Sequence, residues 1–163
     1  MTLEAGQQAA AAIRLLIGRV QTVATAESLT GGLVAAALTT VPGASAVFRG
    51  GIVAYAADLK TALLDVPADL IRRHGTVHRE VAVAMARGAA DRLEATFGVA
   101  TTGVAGPDPA DGQPVGAVHI AVSGPAGVWH RALWLTGDRE QIRRDTVAEV
   151  LDLLVGMLKE EIL

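Results

Sequence analysis

The sequence predicts an α/β fold: a three-layer α/β/α sandwich on a mostly parallel mixed sheet of about five strands. Three observations predict it. Short β-type runs alternate with helical runs through the first hundred residues, the pattern of strand–helix–strand crossovers. Two late strand-like runs are separated only by Gly124-Pro125-Ala126-Gly127, a connector that suits an antiparallel hairpin and is too short for a crossover. Hydrophobic residues make up 51% of the chain and aromatics only 3%, so the core has to be built from Ala, Val, Leu and Ile.

The elements follow in order. Residues 4–19 read as an amphipathic helix ending near Gly18, and residues 21–26 as a strand. A turn carrying Ser28 leads into a helix over about 30–39, which the Pro42-Gly43 signal ends. Residues 47–56 form a second strand, with Gly50 and Gly51 permitting a bulge or a close approach. Asp58 is a good N-cap for a short helix to about Leu64, and a second short helix covers 69–73. A long helix is expected over 80–96, where Val81, Met85, Ala89 and Leu93 recur every fourth residue. Residues 97–104 are a third, apolar strand, followed by a Gly/Pro-rich loop over 105–114. Strands over 115–123 and 128–135 make the hairpin. Asp138, with Gln141 at the capping-box position, starts the last helix, whose stripe is Val147, Val150, Leu151, Leu154 and Leu158.

The 163 residues suit a single domain, 1–163, with a full core. The formal net charge of −3 offers no footprint for nucleic acid or an anionic membrane. With no cysteine there is no disulfide, thiolate nucleophile or Cys-based metal site, which fits a reducing compartment. No apolar run reaches bilayer length, and the N-terminus makes a poor signal peptide, so a cytoplasmic protein is expected. The apolar faces leave room for a homodimer whose interface the sequence does not locate.

In an open α/β sheet, ligands bind beyond the carboxyl ends of the strands. Three segments there carry candidate chemistry. The first is Thr25-Ala26-Glu27-Ser28-Leu29-Thr30-Gly31-Gly32, a strand, a turn with a hydroxyl and a helix N-terminus. Ser28 is read either as a nucleophile beside free backbone N–H groups or as a plain N-cap. The second holds Tyr55, the only tyrosine, and Lys60. Of fourteen cationic side chains only Lys60 and Lys159 are lysine, and lysine, unlike arginine, can be deprotonated. With Asp58 as N-cap, Lys60 sits at the second helical position, where the dipole favours the neutral amine a general base requires; the alternative is a solvent-exposed lysine. The third is the loop with Gly103, Val104, Ala105 and Gly106, which is neither a P-loop nor a dinucleotide fingerprint and is either an anion-binding turn or a simple one. Arg139, Arg143 and Arg144 are either phosphate partners or surface residues paired with Asp138, Glu140 and Asp145. The spacing of His74, His78, His119 and His130 matches no zinc motif.

Together these blocks resemble the CinA C-terminal domain family, whose enzymatic members are nicotinamide-nucleotide amidases. The resemblance lies in residues 25–32, 51–60, 102–116 with Gly-Val-Ala-Gly-Pro and Pro-Val-Gly, and 137–140 with Arg143. It implies deamidation of nicotinamide mononucleotide to nicotinate mononucleotide and ammonia, with no metal or cofactor. Ser28 corresponds to the nucleophile, Lys60 to its base and Tyr55 to an assisting hydroxyl. The backbone of Thr30, Gly31 and Gly32 is the expected oxyanion holder. The loop Gly103, Val104, Ala105 and Gly106 is expected to bind substrate with Arg139 and Arg143.

The chain departs from the family pattern at three places. Leu29 stands where the family usually has Cys, Ala56-Ala57 where it often has Ser-Asn, and His78 where it has Ser. Two alternatives accompany the amidase reading: a non-catalytic nucleotide-binding or regulatory module, and an amidase for a different ribosylated amide. Longer relatives carry an additional N-terminal domain resembling molybdopterin-binding proteins, so an activity belonging to that domain is not expected of this chain.

Overall fold

The structure, a computed structural model, describes residues 1–160. Helix α1 (Leu3–Arg19) is capped by Thr2, whose hydroxyl oxygen accepts the Ala5 N–H at 3.1 Å. Strand β1 (Val23–Glu27), helix α2 (Leu33–Thr39) and strand β2 (Phe48–Val53) follow. Next come three helices, α3 (Ala57–Leu64), α4 (Ala68–His74) and α5 (Arg79–Arg92). Strand β3 (Phe97–Gly103), the hairpin β4 (Ala117–Gly124) and β5 (Gly127–Trp134), and helix α6 (Arg139–Glu160) complete the order.

The sheet runs β2-β1-β3-β4-β5. β1 pairs in parallel with both β2 and β3, while β4 is antiparallel to β3 and β5. Four strands therefore share one direction and only β4 opposes them, as the hairpin requires.

Side-chain size differs between the two faces of the sheet. Val23, Phe97, Val99, Val118, Ile120 and Val122 pack against α1, α2 and α6. Ala24, Ala26, Ala100 and Ala121 face α3, α4 and α5. The alanine face lets α5 lie close on the sheet. At Gly98 a Cβ would come within 1.8 Å of the Ala86 carbonyl oxygen, so only glycine fits there. This is how a core with few aromatics reaches close packing.

Several boundaries differ from the sequence reading, among them the start of the first strand, at Val23 instead of residue 21, and the end of the second, at Val53 instead of residue 56. The helix expected over 30–39 starts at Leu33, because Gly31 and Gly32 take φ of 58° and 102° and lie outside it. The helix expected to run to residue 96 ends at Arg92, because Glu94 turns left-handed (φ 49°) to deliver the chain into β3. The strand expected from residue 115 begins at Ala117.

The connection through α2 lies on one face and the one through α3–α5 on the other, so the chain reverses its winding direction between β1 and β3. The carboxyl ends of β1, β2 and β3 share one edge, with Glu27 level with Val53 and Thr101. That reversal point is where an open α/β sheet forms a crevice.

Candidate active site

Ser28 is the first residue beyond β1. Its N–H donates to the Thr101 carbonyl (3.0 Å), and the Ala54 N–H donates to the Glu27 carbonyl (2.9 Å). Both neighbouring strands thus hold the turn. The reading of Ser28 as an N-cap is not met: the cap position of α2 is Gly32, and the capping group is the Glu27 carboxylate. Glu27 is 1% exposed. It accepts from the N–H groups of Gly32 (2.9 Å), Val34 (3.0 Å) and Ala35 (2.8 Å) and from the Thr30 hydroxyl (2.7 Å). A buried carboxylate is tolerated here because four donors and the positive end of a helix surround it.

That arrangement changes the expected oxyanion donors. The Gly31 N–H is engaged with the Ser28 carbonyl (3.0 Å) and the Gly32 N–H with Glu27. The Thr30 side chain is buried between Glu27 and the Thr101 hydroxyl (2.8 Å). The N–H groups of Leu29 and Thr30 have no intramolecular acceptor among the described residues.

Lys60 lies on α3, and its surroundings correct the sequence reading twice. The N-cap is Ala56, without a side-chain bond, so Asp58 is in the first turn and Lys60 is the fourth helical residue. Nor is Lys60 on the surface, being 1% exposed. Its Nζ donates to the carbonyls of Ala54 (2.7 Å) and Tyr55 (3.3 Å) and lies 3.0 Å from Ser28 Oγ. Burial pushes the Lys60 amine down to about 8, with the Asp111 carboxylate acting in the opposite direction. Both protonation states are satisfied. The ammonium has three acceptors; the neutral amine keeps both carbonyls and turns its lone pair to the Ser28 hydroxyl.

Tyr55 stands two residues beyond β2 and is 58% exposed at the mouth of the site. Its hydroxyl oxygen accepts from Arg139 (2.9 Å), whose other arm donates to the Gly106 carbonyl (2.5 Å). Arg143 braces the Ser28 turn, donating to the carbonyls of Leu29 (2.9 Å) and Thr30 (3.2 Å). Arg144 pairs with Glu140 at 2.6 Å.

A cleft of about 330 Å³ opens above the serine. Ser28, Leu29, Tyr55 and Arg139 line it with the loop residues Gly103, Val104, Ala105 and Gly106. Thr30, Gly31, Gly32 and Arg143 are not among its lining; they shape the turn from beneath. The N–H groups of Ala105 and Gly106 have no intramolecular acceptor among the described residues.

Sequence reasoning missed Thr76 and Asp111 in the cleft wall. The N–H of Thr76 donates to Asp111 Oδ2 at 2.7 Å, and its hydroxyl donates to the same oxygen. The Thr102 hydroxyl donates to the Thr76 carbonyl (2.8 Å). The one local signal was Asp111-Gly112, a turn dipeptide whose aspartate takes φ 51°. The histidines, unrelated by spacing, lie in a row. The rings of His74 and His78 stack at 4.2 Å and those of His119 and His130 at 5.2 Å, and His78 Nδ1 caps α5 by accepting the Glu80 N–H (3.2 Å). Burial, followed by the charges of His119, Arg79 and His78, pushes His130 down to about 4.

An open α/β sheet with a buried Ser–Lys pair beneath a cleft at its carboxyl edge is the class of site these residues build. Residues 6–158 match the family model of the CinA C-terminal domain. A CinA-like protein of Frankia casuarinae is 52% identical over 144 residues, covering 88% of this chain and 33% of the relative. A putative competence-damage inducible protein of Desulforamulus reducens is 46% identical over 146 residues, covering 90% of this chain and 36% of the relative. The chain thus spans about a third of the length of these relatives. Among solved structures, the competence/damage inducible protein CihA from Agrobacterium tumefaciens superposes with a TM-score of 0.91 at 38% identity, covering 98% of this chain and 99% of that one. A CinA superfamily protein from Klebsiella pneumoniae gives a TM-score of 0.92 at 29% identity, covering 96% and 98%. The chain belongs to the CinA C-terminal domain family.

Proposed function

We propose that this chain is a nicotinamide-nucleotide amidase, hydrolysing nicotinamide mononucleotide to nicotinate mononucleotide and ammonia. The observation that carries the reading is the 3.0 Å contact between Lys60 Nζ and Ser28 Oγ at the floor of the cleft, with the amine lowered to about 8. The neutral amine accepts the Ser28 proton as Oγ attacks the carboxamide carbon. The ammonium then delivers a proton to the departing nitrogen, and ammonia leaves an ester on Ser28. Water, deprotonated by the same amine, releases the carboxylate. The Leu29 and Thr30 N–H groups are the proposed oxyanion donors, since that of the residue after a nucleophile on a strand–turn–helix elbow is well aimed for this. The Tyr55 hydroxyl and Arg139 stand at the mouth, where with the free N–H groups of Ala105 and Gly106 they suit an anionic phosphate. Arg143 contributes by fixing the serine turn.

The reaction would run in the cytoplasm, in a homodimer or a monomer, as one domain over 1–163. Among the described residues no helix is long and apolar enough to cross a membrane. The test is incubation with nicotinamide mononucleotide in 18O-labelled water without added metal. The expected product is nicotinate mononucleotide with one labelled carboxylate oxygen and an equivalent of ammonia. The missing side-chain cap at Ala56 favours one second reading, a nucleotide-binding module with no turnover. Calorimetric binding without ammonia release would support it over the amidase.

A further inference from the structure

Three charged side chains line the cleft: Asp108, Asp111 and Arg139. A fixed carboxylate beside a site for an anionic nucleotide lowers affinity unless it faces a positive charge. Asp111 is the fixed one. Its Oδ2 takes both Thr76 donors, while Oδ1 has no partner among the described residues. The loop behind it is closed by paired bonds between Ala110 and Gln113 (3.2 and 2.9 Å). Thr76 is in turn tied to β3 through Thr102. A chain of hydrogen bonds therefore runs from the central sheet to this carboxylate. The Thr76 bonds also hold the Asp111 carboxyl below its usual range, so it is an anion at working pH. Asp108, by contrast, has no hydrogen-bond partner among the described residues.

Asp111 and Ser28 line the same cleft, and the charge of the Asp111 carboxylate acts on Lys60. A nicotinamide whose amide carbon meets Ser28 Oγ carries its ring nitrogen only a few ångströms farther on. In the oxidised nucleotide that ring is a cation. We propose that Asp111 is a specificity-determining residue that recognises the positive charge of the pyridinium ring, an assignment that rests on the nicotinamide-nucleotide reading above. Thr76 positions the carboxylate, and Arg139 is held by Tyr55 and Gly106, so that the cleft offers a carboxylate for a cationic ring and a guanidinium for an anionic phosphate.

The experiment compares two probes that share amide, ribose and phosphate and differ in ring charge: oxidised nicotinamide mononucleotide and its 1,4-dihydro form. Affinities are measured by calorimetry on Ser28→Ala protein, so that turnover does not intervene. The oxidised form is expected to bind roughly three- to tenfold more tightly, the scale of one partly solvated charge pair. Adding Asp111→Asn is expected to bring the two affinities together by weakening the oxidised form alone, while adding Asp108→Asn leaves the preference in place. Retained binding of the dihydro form shows that the Asp111→Asn protein is folded. Equal affinities without the Asp111 change, or loss of the preference in Asp108→Asn instead, would overturn the assignment and leave the nucleotide reading standing. Binding of neither probe would overturn both.

Discussion

The burial of Lys60 has an electrostatic cost and, in the proposed mechanism, a chemical gain. Burial lowers the amine from its ordinary 10.5 to about 8. Between those values the folded protein binds fewer protons than the unfolded chain, so stability rises with pH across that window. Below about 8 the cost of burying the ammonium is fully present. Thermal melts of wild type and Lys60→Met should therefore diverge through that window, only the wild type gaining. In the proposed mechanism the neutral amine is the working form, so kcat/KM should climb as pH rises through about 8. A rate that stays flat across that region would assign the base elsewhere. Lys60→Arg should lose roughly 10³-fold or more in turnover, because arginine keeps the charge and cannot accept the proton. Ser28, Tyr55 and Lys60 were legible because each is chemically singular in its segment. The cause of the shifted lysine was not: a helix count from Asp58 suggested the dipole, whereas the amine is buried against Ser28 and the backbone at Ala54 and Tyr55, contacts that local pattern does not show. Asp111 and Thr76 meet across 35 positions, so neither could be read from its own neighbourhood.

At the scale of elements, the turn between β1 and α2 is held by one carboxylate. Removing it in Glu27→Ala leaves three backbone N–H groups and the Thr30 hydroxyl without their acceptor. We expect a loss of about 3 kcal/mol in urea unfolding, at the upper end for a charged hydrogen-bond partner. Gly98→Ala tests the close seating of α5 on β3. The added Cβ meets backbone of Ala86, which cannot swing aside as a side chain can, so a loss of about 1–3 kcal/mol is expected. A neutral outcome would mean that the helix floats on the alanine face instead of being seated on it. The elements themselves were readable from periodicity and turn chemistry, and all five strands lie where they were expected within a few residues. The errors cluster where glycine or a left-handed residue bounds an element, delaying the start of α2 at Gly31-Gly32 and following the early end of α5 at Glu94.

For the whole molecule, topology does most to build the site. Strands whose carboxyl ends share one edge bring Ser28, the backbone at Ala54 and Tyr55, and the loop after Gly103 to one point, although they are scattered along the sequence. The sequence indicated that convergence through the strand–helix alternation; it did not indicate that the helix N-terminus would be occupied by Glu27, with the Gly31 and Gly32 N–H groups engaged and those of Leu29 and Thr30 without an acceptor among the described residues. The central claim is that an amide is opened by Ser28 with Lys60 as base. Its most direct test is ammonia release from nicotinamide mononucleotide by wild type and Ser28→Ala side by side, without added metal. The account predicts release by wild type alone, with nucleotide binding retained in the variant. Release by Ser28→Ala at a comparable rate would contradict it.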